Sequence, residues 1–575
     1  MSRARSRVAL ALLFAFAPVC GPALANTPAA TSPSVAGATV VSTADRATPV
    51  AARRSGPPVD TSGADVLAVY PNPIADGDRG EYVLLTLPPS NATFRFGDDE
   101  SRVTLPDVAG RVAVTATPGV VRNLTGARVV AVESIPALAN GGERLRVFRG
   151  NETVATARYR DAPEGELGTF DERGAVTWTP VGRTNRSLVT AAGGNATAFV
   201  LPDAPDVAVE TIRDADDRVL LAGYTFTSRR VARALERAAA RGVRVRVLLE
   251  GEPVDGLSRR EARLLDSLVE SGVTVELLGG PRDPYAFHHA KYAVVDDRAL
   301  VLTENWKPAG TGGHASRGWG VRVSDTAVVA GLAATFRADA NWTGARDWQQ
   351  FRRGRSFATR GVANGSYPRR HDPATVPVDR TQLIVAPDNA GRAVTRLLDG
   401  ATESVDVVQL RIDGPDDRFL RATVDAARRG VEVRVLLSSA WYVREENRRI
   451  VERLRERADS EDLPIRAKLA SPAGRYEKIH AKGVVVDGDQ VLVGSLNWNR
   501  ESVVENREVL VLLESGAAAG YFERVFEADW AAGASGGPGS SLPLGSLLAV
   551  AGVATLAVLV VRRVEFGETT GIGPE

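Results

Sequence analysis

Cysteine is all but missing from this 575-residue chain, whose single example, Cys20, lies near the N-terminus. A chain processed after residue 25 keeps no thiol, which excludes disulfides and cysteine nucleophiles. An excess of one charge is missing too: 71 basic side chains face 70 acidic ones, for a formal net charge of +1. Bulk electrostatics therefore select no partner. Lysine and histidine are scarce, five of each beside 66 arginines. No dense set of carboxylates or cysteines accompanies the histidines, so the residues call for no metal and no cofactor.

The two ends carry addressing signals. Arg3, Arg5 and Arg7 precede an apolar stretch at 8–17 and Ala23-Leu24-Ala25, which reads as a secretory signal peptide over residues 1–25. Residues 542–561 hold no charge and are followed by Arg562 and Arg563. That pattern predicts one transmembrane helix, a cytoplasmic tail at 562–575, and a single-pass cell-membrane protein whose bulk lies outside the cell. Asn91, Asn123, Asn151, Asn185, Asn195, Asn341 and Asn364 head N-x-S/T sequons, which agrees with export.

What the chain does contain is a repeated constellation. In residues 475–498, His480, Lys482 and Asp487 have the spacing H-x-K-x4-D, followed by Gly494-Ser495-x-Asn497. In residues 287–306, His289, Lys291 and Asp296 repeat it, with Leu302-Thr303-Glu304-Asn305 in place of Gly-Ser-Leu-Asn. Apolar runs flank each aspartate and read as two strands joined by a tight turn. Residues two apart on a strand share a face, so each histidine has a lysine beside it. One such tripeptide would mean a packed or solvated histidine; two in matched surroundings point to phosphoryl chemistry.

The surroundings are duplicated as well. Residues 240–249, ARGVRVRVLL, echo 428–437, RRGVEVRVLL, and each lies between helical patterns in an alternating strand–helix order. Ser258 and Glu261 form a capping-box pattern at the start of one such helix. Before them, residues 59–180 show short β-type runs at 66–70, 82–87, 103–105, 112–117, 128–132 and 145–148, the pattern of a small β-sandwich. Residues 26–58 are rich in Ala, Thr, Ser and Pro and read as a disordered linker.

The paired motifs resemble the phospholipase D superfamily, and residues 69–74, 80–83 and 174–178 resemble an immunoglobulin-like lamin-tail domain. The fold class expected is thus multidomain: an N-terminal β-sandwich, a duplicated α/β body of phospholipase D type, and a C-terminal transmembrane helix. The first half spans 206–345, a basic bridge 346–378, and the second half 379–530. The resemblance implies that each half donates one motif to a shared centre and that a phosphohistidine forms without metal. His289 and His480 would act as nucleophile and acid, while Lys291, Lys482, Asn305 and Asn497 hold the phosphate oxygens. Ser495 and Glu508 complete the catalytic set; Asp296, Asp487, Thr303 and Gly494 support it.

In the family an acid at the place of Glu508 fixes a catalytic histidine's tautomer. Residues 316–320, SRGWG, supply no acid at the matching place in the first half. Glu508 is accordingly expected to serve His480, making His480 the nucleophile and His289 the acid, although the first-half histidine often attacks in the family. The function expected is an exported, membrane-anchored phosphodiesterase that hydrolyses or transfers, with phospholipid favoured because the anchor keeps it near headgroups. A metal-independent extracellular nuclease is the alternative, since residues 346–371 carry seven arginines among Trp348, Phe351, Phe357 and Tyr367. A catalytically weak surface binding protein is the third reading, drawn from the altered first motif.

Overall fold

The computed structural model describes residues 63–280 and 282–532. Strands Asp65–Tyr70, Tyr82–Leu87, Gly110–Thr115, Arg128–Ala131, Glu166–Phe170 and Val176–Pro180 make a six-stranded sheet. Phe94–Gly97, Arg102–Thr104, Gly142–Arg149 and Glu152–Arg160 make a four-stranded one. Val69, Val83 and Val114 from the first share an apolar cluster with Phe96, Leu145, Val147 and Tyr159 from the second.

The duplicated body is built on two larger sheets. In the first half, Arg218–Gly223, Arg244–Glu250 and Thr274–Leu278 run parallel, and the hairpin Tyr292–Val295/Arg298–Leu302 is added antiparallel beside Arg218–Gly223. In the second, Ser404–Gln409, Glu432–Leu437 and Ile465–Leu469 run parallel beside the hairpin Gly483–Val486/Gln490–Gly494. Each sheet then continues with one long strand, Ser316–Val323 or Glu508–Glu514. The inner faces meet in one core, in which Tyr292, Val301 and Val321 of the first sheet cluster with Val485, Val493 and Val511 of the second. Separate clusters on the outer faces hold the helices.

Local sequence explains these elements. Ser258 accepts from Glu261 N at 3.1 Å and the Glu261 carboxylate reaches back to Ser258 N, the capping box the spacing implied. The motif aspartates Asp296 and Asp487 sit at the hairpin turns with φ of 52° and 50°. Burial raises the pKa of each, but several backbone N–H donors outweigh it and leave both carboxyls below the usual range. Those donors come from Asp216, Asp217 and Arg218, and from Thr402, Glu403 and Ser404. Both aspartates therefore tie a hairpin to the start of its neighbouring parallel strand.

The expected fold class is corrected at one point. Among the described residues no helix is long and apolar enough to cross a membrane. The 18-residue helix Arg444–Glu461 is dense in charge, and the more apolar Thr326–Ala340 and Gly516–Ala531 have only 15 and 16 residues, against roughly 20 for a span. The transmembrane helix, and the single-pass localisation drawn from it, are corrected accordingly. The stretches on which they rested, 542–561 and 562–575, lie outside the described residues, as do the signal peptide and linker at 1–58.

Candidate active site

Each histidine is mounted on the opposite half. His289 N donates to Arg507 O at 3.0 Å, and His480 N donates to Arg317 O at 2.9 Å. Residues Lys478–Ile479 pair in parallel with Ser316–Arg317 of the first-half sheet. The long strand of each half thus carries the other half's motif, and the two arginines anchor the exchange. Arg507 is fully buried and binds Asp388 of its own half at 2.9 Å and Asp339 of the other at 3.0 Å. Arg317 binds Asp203, just ahead of the first half, and, at 2.9 Å, Asp529 of the second.

This exchange corrects the assignment of Glu508. Its carboxylate lies 2.8 and 3.0 Å from His289 Nδ1, and not on His480, and it also accepts from Ser495 Oγ. Burial alone would raise the Glu508 pKa, but His289 and Lys291 outweigh it and hold the group below its usual value. An ionised carboxylate accepts only, so His289 carries its proton on Nδ1 and leaves Nε2 free. Burial pushes the His289 pKa down to about 4, against the opposing pull of Glu508.

His480 has a different shell. Its Nδ1 lies 3.0 Å from Thr303 O and 3.3 Å from Lys482 Nζ. A carbonyl only accepts and an ammonium only donates, so the shorter contact decides: Nδ1–H donates to Thr303 O, and the lysine is merely adjacent. Burial, with Lys482, Lys307, Lys291 and Lys478 around it, holds the His480 pKa well below the usual value. Four of the chain's five lysines therefore gather at this centre. Burial lowers Lys482 to about 8 and Lys291 well below its normal range. Each motif lysine donates to its own histidine's carbonyl, Lys482 at 2.8 Å. The Oδ1 atoms of Asn305 and Asn497 are buried without a partner.

The first motif's departures are compensated across the hairpin. Leu302 stands where Gly494 stands, but Gly494 faces Leu510 while Leu302 faces Gly320. A Cβ on Gly494 would meet Val509 O at 2.4 Å, and one on Gly320 would meet Phe199 at 2.4 Å and Leu302 at 2.9 Å. One glycine per crossing suffices, and the halves place it on opposite strands. Thr303 Oγ1 accepts from Trp319 N at 2.9 Å as Ser495 Oγ does from Val509 N at 3.1 Å. Sequence reasoning missed Glu304, Lys307, Lys478 and Tyr224, whose ring stands edge-on to His289 with centroids 4.8 Å apart. The scarcity of lysine was the available signal for two of them.

Two tautomer-fixed imidazoles, each feeling the other half's motif lysine, make one shared centre of the kind that acid–base and nucleophilic chemistry can use. Residues 208–340 and 394–530 match the family described as "Cardiolipin synthase, PLD-like domain". These two segments, which form the duplicated body, belong to the phospholipase D superfamily, and they make the chain a phosphodiesterase-type enzyme. Solved structures similar to it include phosphatidylserine synthase of Haemophilus influenzae, at 12% identity and TM-score 0.44, over 58% of this chain and 86% of that one. Polyphosphate kinase of Porphyromonas gingivalis shows 15% identity and TM-score 0.39, over 58% and 50%. Nuc of Salmonella typhimurium, a phospholipase D family member, shows 18% and 0.23, over 28% and 98%. No curated protein matches the chain. The matched family segments begin at residue 208, and the lamin-tail resemblance of 59–180 gains no support from them.

Proposed function

We propose that the protein cleaves the headgroup phosphodiester of phospholipids through a phosphohistidine on His289. Nε2 of His289 attacks phosphorus, the P–O bond to the headgroup breaks, and His480 protonates the departing alkoxide. Water then attacks phosphorus, gives its proton back to His480, and the P–N bond breaks; an alcohol in place of water makes the reaction a transfer. Lys291, Lys482, Asn305 and Asn497 hold the non-bridging oxygens.

The observation that favours phospholipid is where apolar surface is exposed. Among the described residues the exposed large hydrophobic side chains are Val254, Val362, Trp441 and Tyr442. Three of the four lie on the loops that follow the equivalent strands Arg244–Glu250 and Glu432–Leu437. Both loops adjoin the site: Val254 N donates to Tyr224 Oη at 2.7 Å, and Lys478 Nζ lies 5.1 Å from the Tyr442 ring. Trp441 is 81% exposed. Apolar tips on both sides of a phosphodiester centre suit a lipid surface.

The bridge weighs against nucleic acid. Trp348 and Phe351 are buried, and Arg352, Arg355, Arg360 and Arg369 pair with Asp266, Glu252, Asp255 and Asp206. Little of the arginine–aromatic stretch remains as a stacking platform. The Val254→Ser/Trp441→Ser variant is expected to lose about tenfold or more on phosphatidylcholine vesicles, because each buried side chain contributes roughly 2 kcal/mol. Its rate on soluble short-chain phosphatidylcholine should stay within about twofold of the parent. Equal losses on both substrates, or faster cleavage of single-stranded DNA than of any phospholipid, defeat the lipid reading. A second expectation is that EDTA leaves the rate unchanged, since lysines supply the positive charge; loss restored by one divalent ion would count against that.

A further inference from the structure

Glu508 serves His289, so the question is what serves His480. The first-half position equivalent to Glu508 follows from register. Ser495 N donates to Val509 O at 3.0 Å and Thr303 N donates to Trp319 O at 3.0 Å, so the residues before them, Glu508 and Gly318, correspond. The space beside Gly318 is filled. A Cβ there would lie 2.2 Å from Glu304 Cγ and 3.0 Å from its Cδ, and a Cβ on Gly310 would lie 2.4 Å from Glu304 Oε2. The second-half equivalent of Glu304 is Leu496, 1% exposed in the outer apolar cluster. Where one half has leucine before the motif asparagine and an acid on the next strand, the other has an acid before the asparagine and glycine on the strand.

We propose that Glu304 is a transposed positioning residue, supplying His480 with the carboxylate that position 318 lacks, as Glu508 supplies His289. Its Oε2 lies 3.4 Å from His480 Nδ1, its side chain is fully buried, and neither oxygen has a hydrogen-bond partner. Such a carboxylate costs stability unless charge or chemistry compensates it. The groups facing the pair are Lys482 and Lys478 from the second motif, Lys307 from the loop after Asn305, Lys291 from the first motif, and the Thr303 carbonyl. That carbonyl fixes the tautomer, but only the carboxylate can balance an imidazolium among four lysines.

The assignment rests on His480 being the acid of the proposed reaction. Burial raises the Glu304 pKa to about 7, against the pull of the lysines. His480 and Glu304 then share one proton up to about that pH, which His480 alone would have lost. A general acid needs that proton, so activity should fall as pH rises through about 7.

Three variants test this. Glu304→Gln keeps the packing against both glycines but cannot hold the charge; kcat at pH 7 should fall roughly 100-fold, with KM little changed, and the alkaline fall should move down by about one pH unit or more. Gly318→Glu alone collides with Glu304 and should lose activity. The Glu304→Leu/Gly318→Glu variant moves the acid to the place that Glu508 has in the other half, and should recover most of the rate and the pH limb. The ring titration of His480, read by NMR without substrate, should follow the same order while His289 stays fixed. A limb and a titration unmoved in Glu304→Gln overturn the assignment, as does a folded double variant that recovers neither. A protein that cleaves no phosphodiester counts against the proposed function instead, since the His480 titration is read independently.

Discussion

When turnover of a substrate labelled at phosphorus is quenched with denaturant at alkaline pH, the label should be found on the peptide carrying His289. The sequence alone argued for His480, because Glu508 is in the same half. The structure puts Glu508 2.8 Å from His289 Nδ1, where an ionised acceptor fixes the neutral tautomer and offsets the positive charge that grows as Nε2 bonds to phosphorus. His480 is surrounded by lysines and holds a proton weakly, which suits a donor to a leaving alkoxide. His289→Asn should therefore lose on the order of 10⁴-fold or more in kcat on every substrate. His480→Asn should lose as much on a choline ester but far less on a p-nitrophenyl ester, whose leaving group needs no proton. Label on the His480 peptide, or p-nitrophenyl ester cleavage that survives His289→Asn and fails in His480→Asn, would reverse the roles.

The second large effect is on stability. Arg507 has no exposure and satisfies Asp388 and Asp339 together, while its carbonyl accepts from His289 N. Arg507→Met leaves two buried carboxylates without the guanidinium they share, and should destabilise the body by about 3–5 kcal/mol, read as a lower urea midpoint. The cause is the stranded charge rather than the lost contacts. Adding Asp339→Asn and Asp388→Asn to Arg507→Met should consequently regain most of the loss. A triple variant no more stable than Arg507→Met would place the cost in packing instead. Because Asp339 belongs to the first half and Arg507 to the second, the same substitution should also loosen the register between halves and lower activity.

Several features were legible from the chain alone because they are local. The strand–helix alternation, the capping box at Ser258 and the two hairpins depend on spacing within a few residues, and they lie where spacing puts them. The duplicated motif was expected to put each histidine beside a lysine on a strand; both pairs lie just before the strands Tyr292–Val295 and Gly483–Val486, and each lysine still donates to its own histidine's carbonyl. The basic bridge was less legible for the opposite reason. Composition shows arginines beside aromatics, but burial of Trp348 and Phe351 and pairing of four arginines with distant acids are decided by the fold.

What the sequence by itself determined is the chemistry available: two histidines, their lysines, their asparagines and the turns that present them. What only the tertiary structure decided is which group serves which. The long strand of each half crosses to the opposite motif, so Glu508 reaches His289, and Glu304 reaches His480 through space that Gly318 and Gly310 leave open. Spacing along one chain cannot express a contact between residues 219 apart. A carboxylate that moves from one strand to the next looks like a lost residue until the two sheets are packed together.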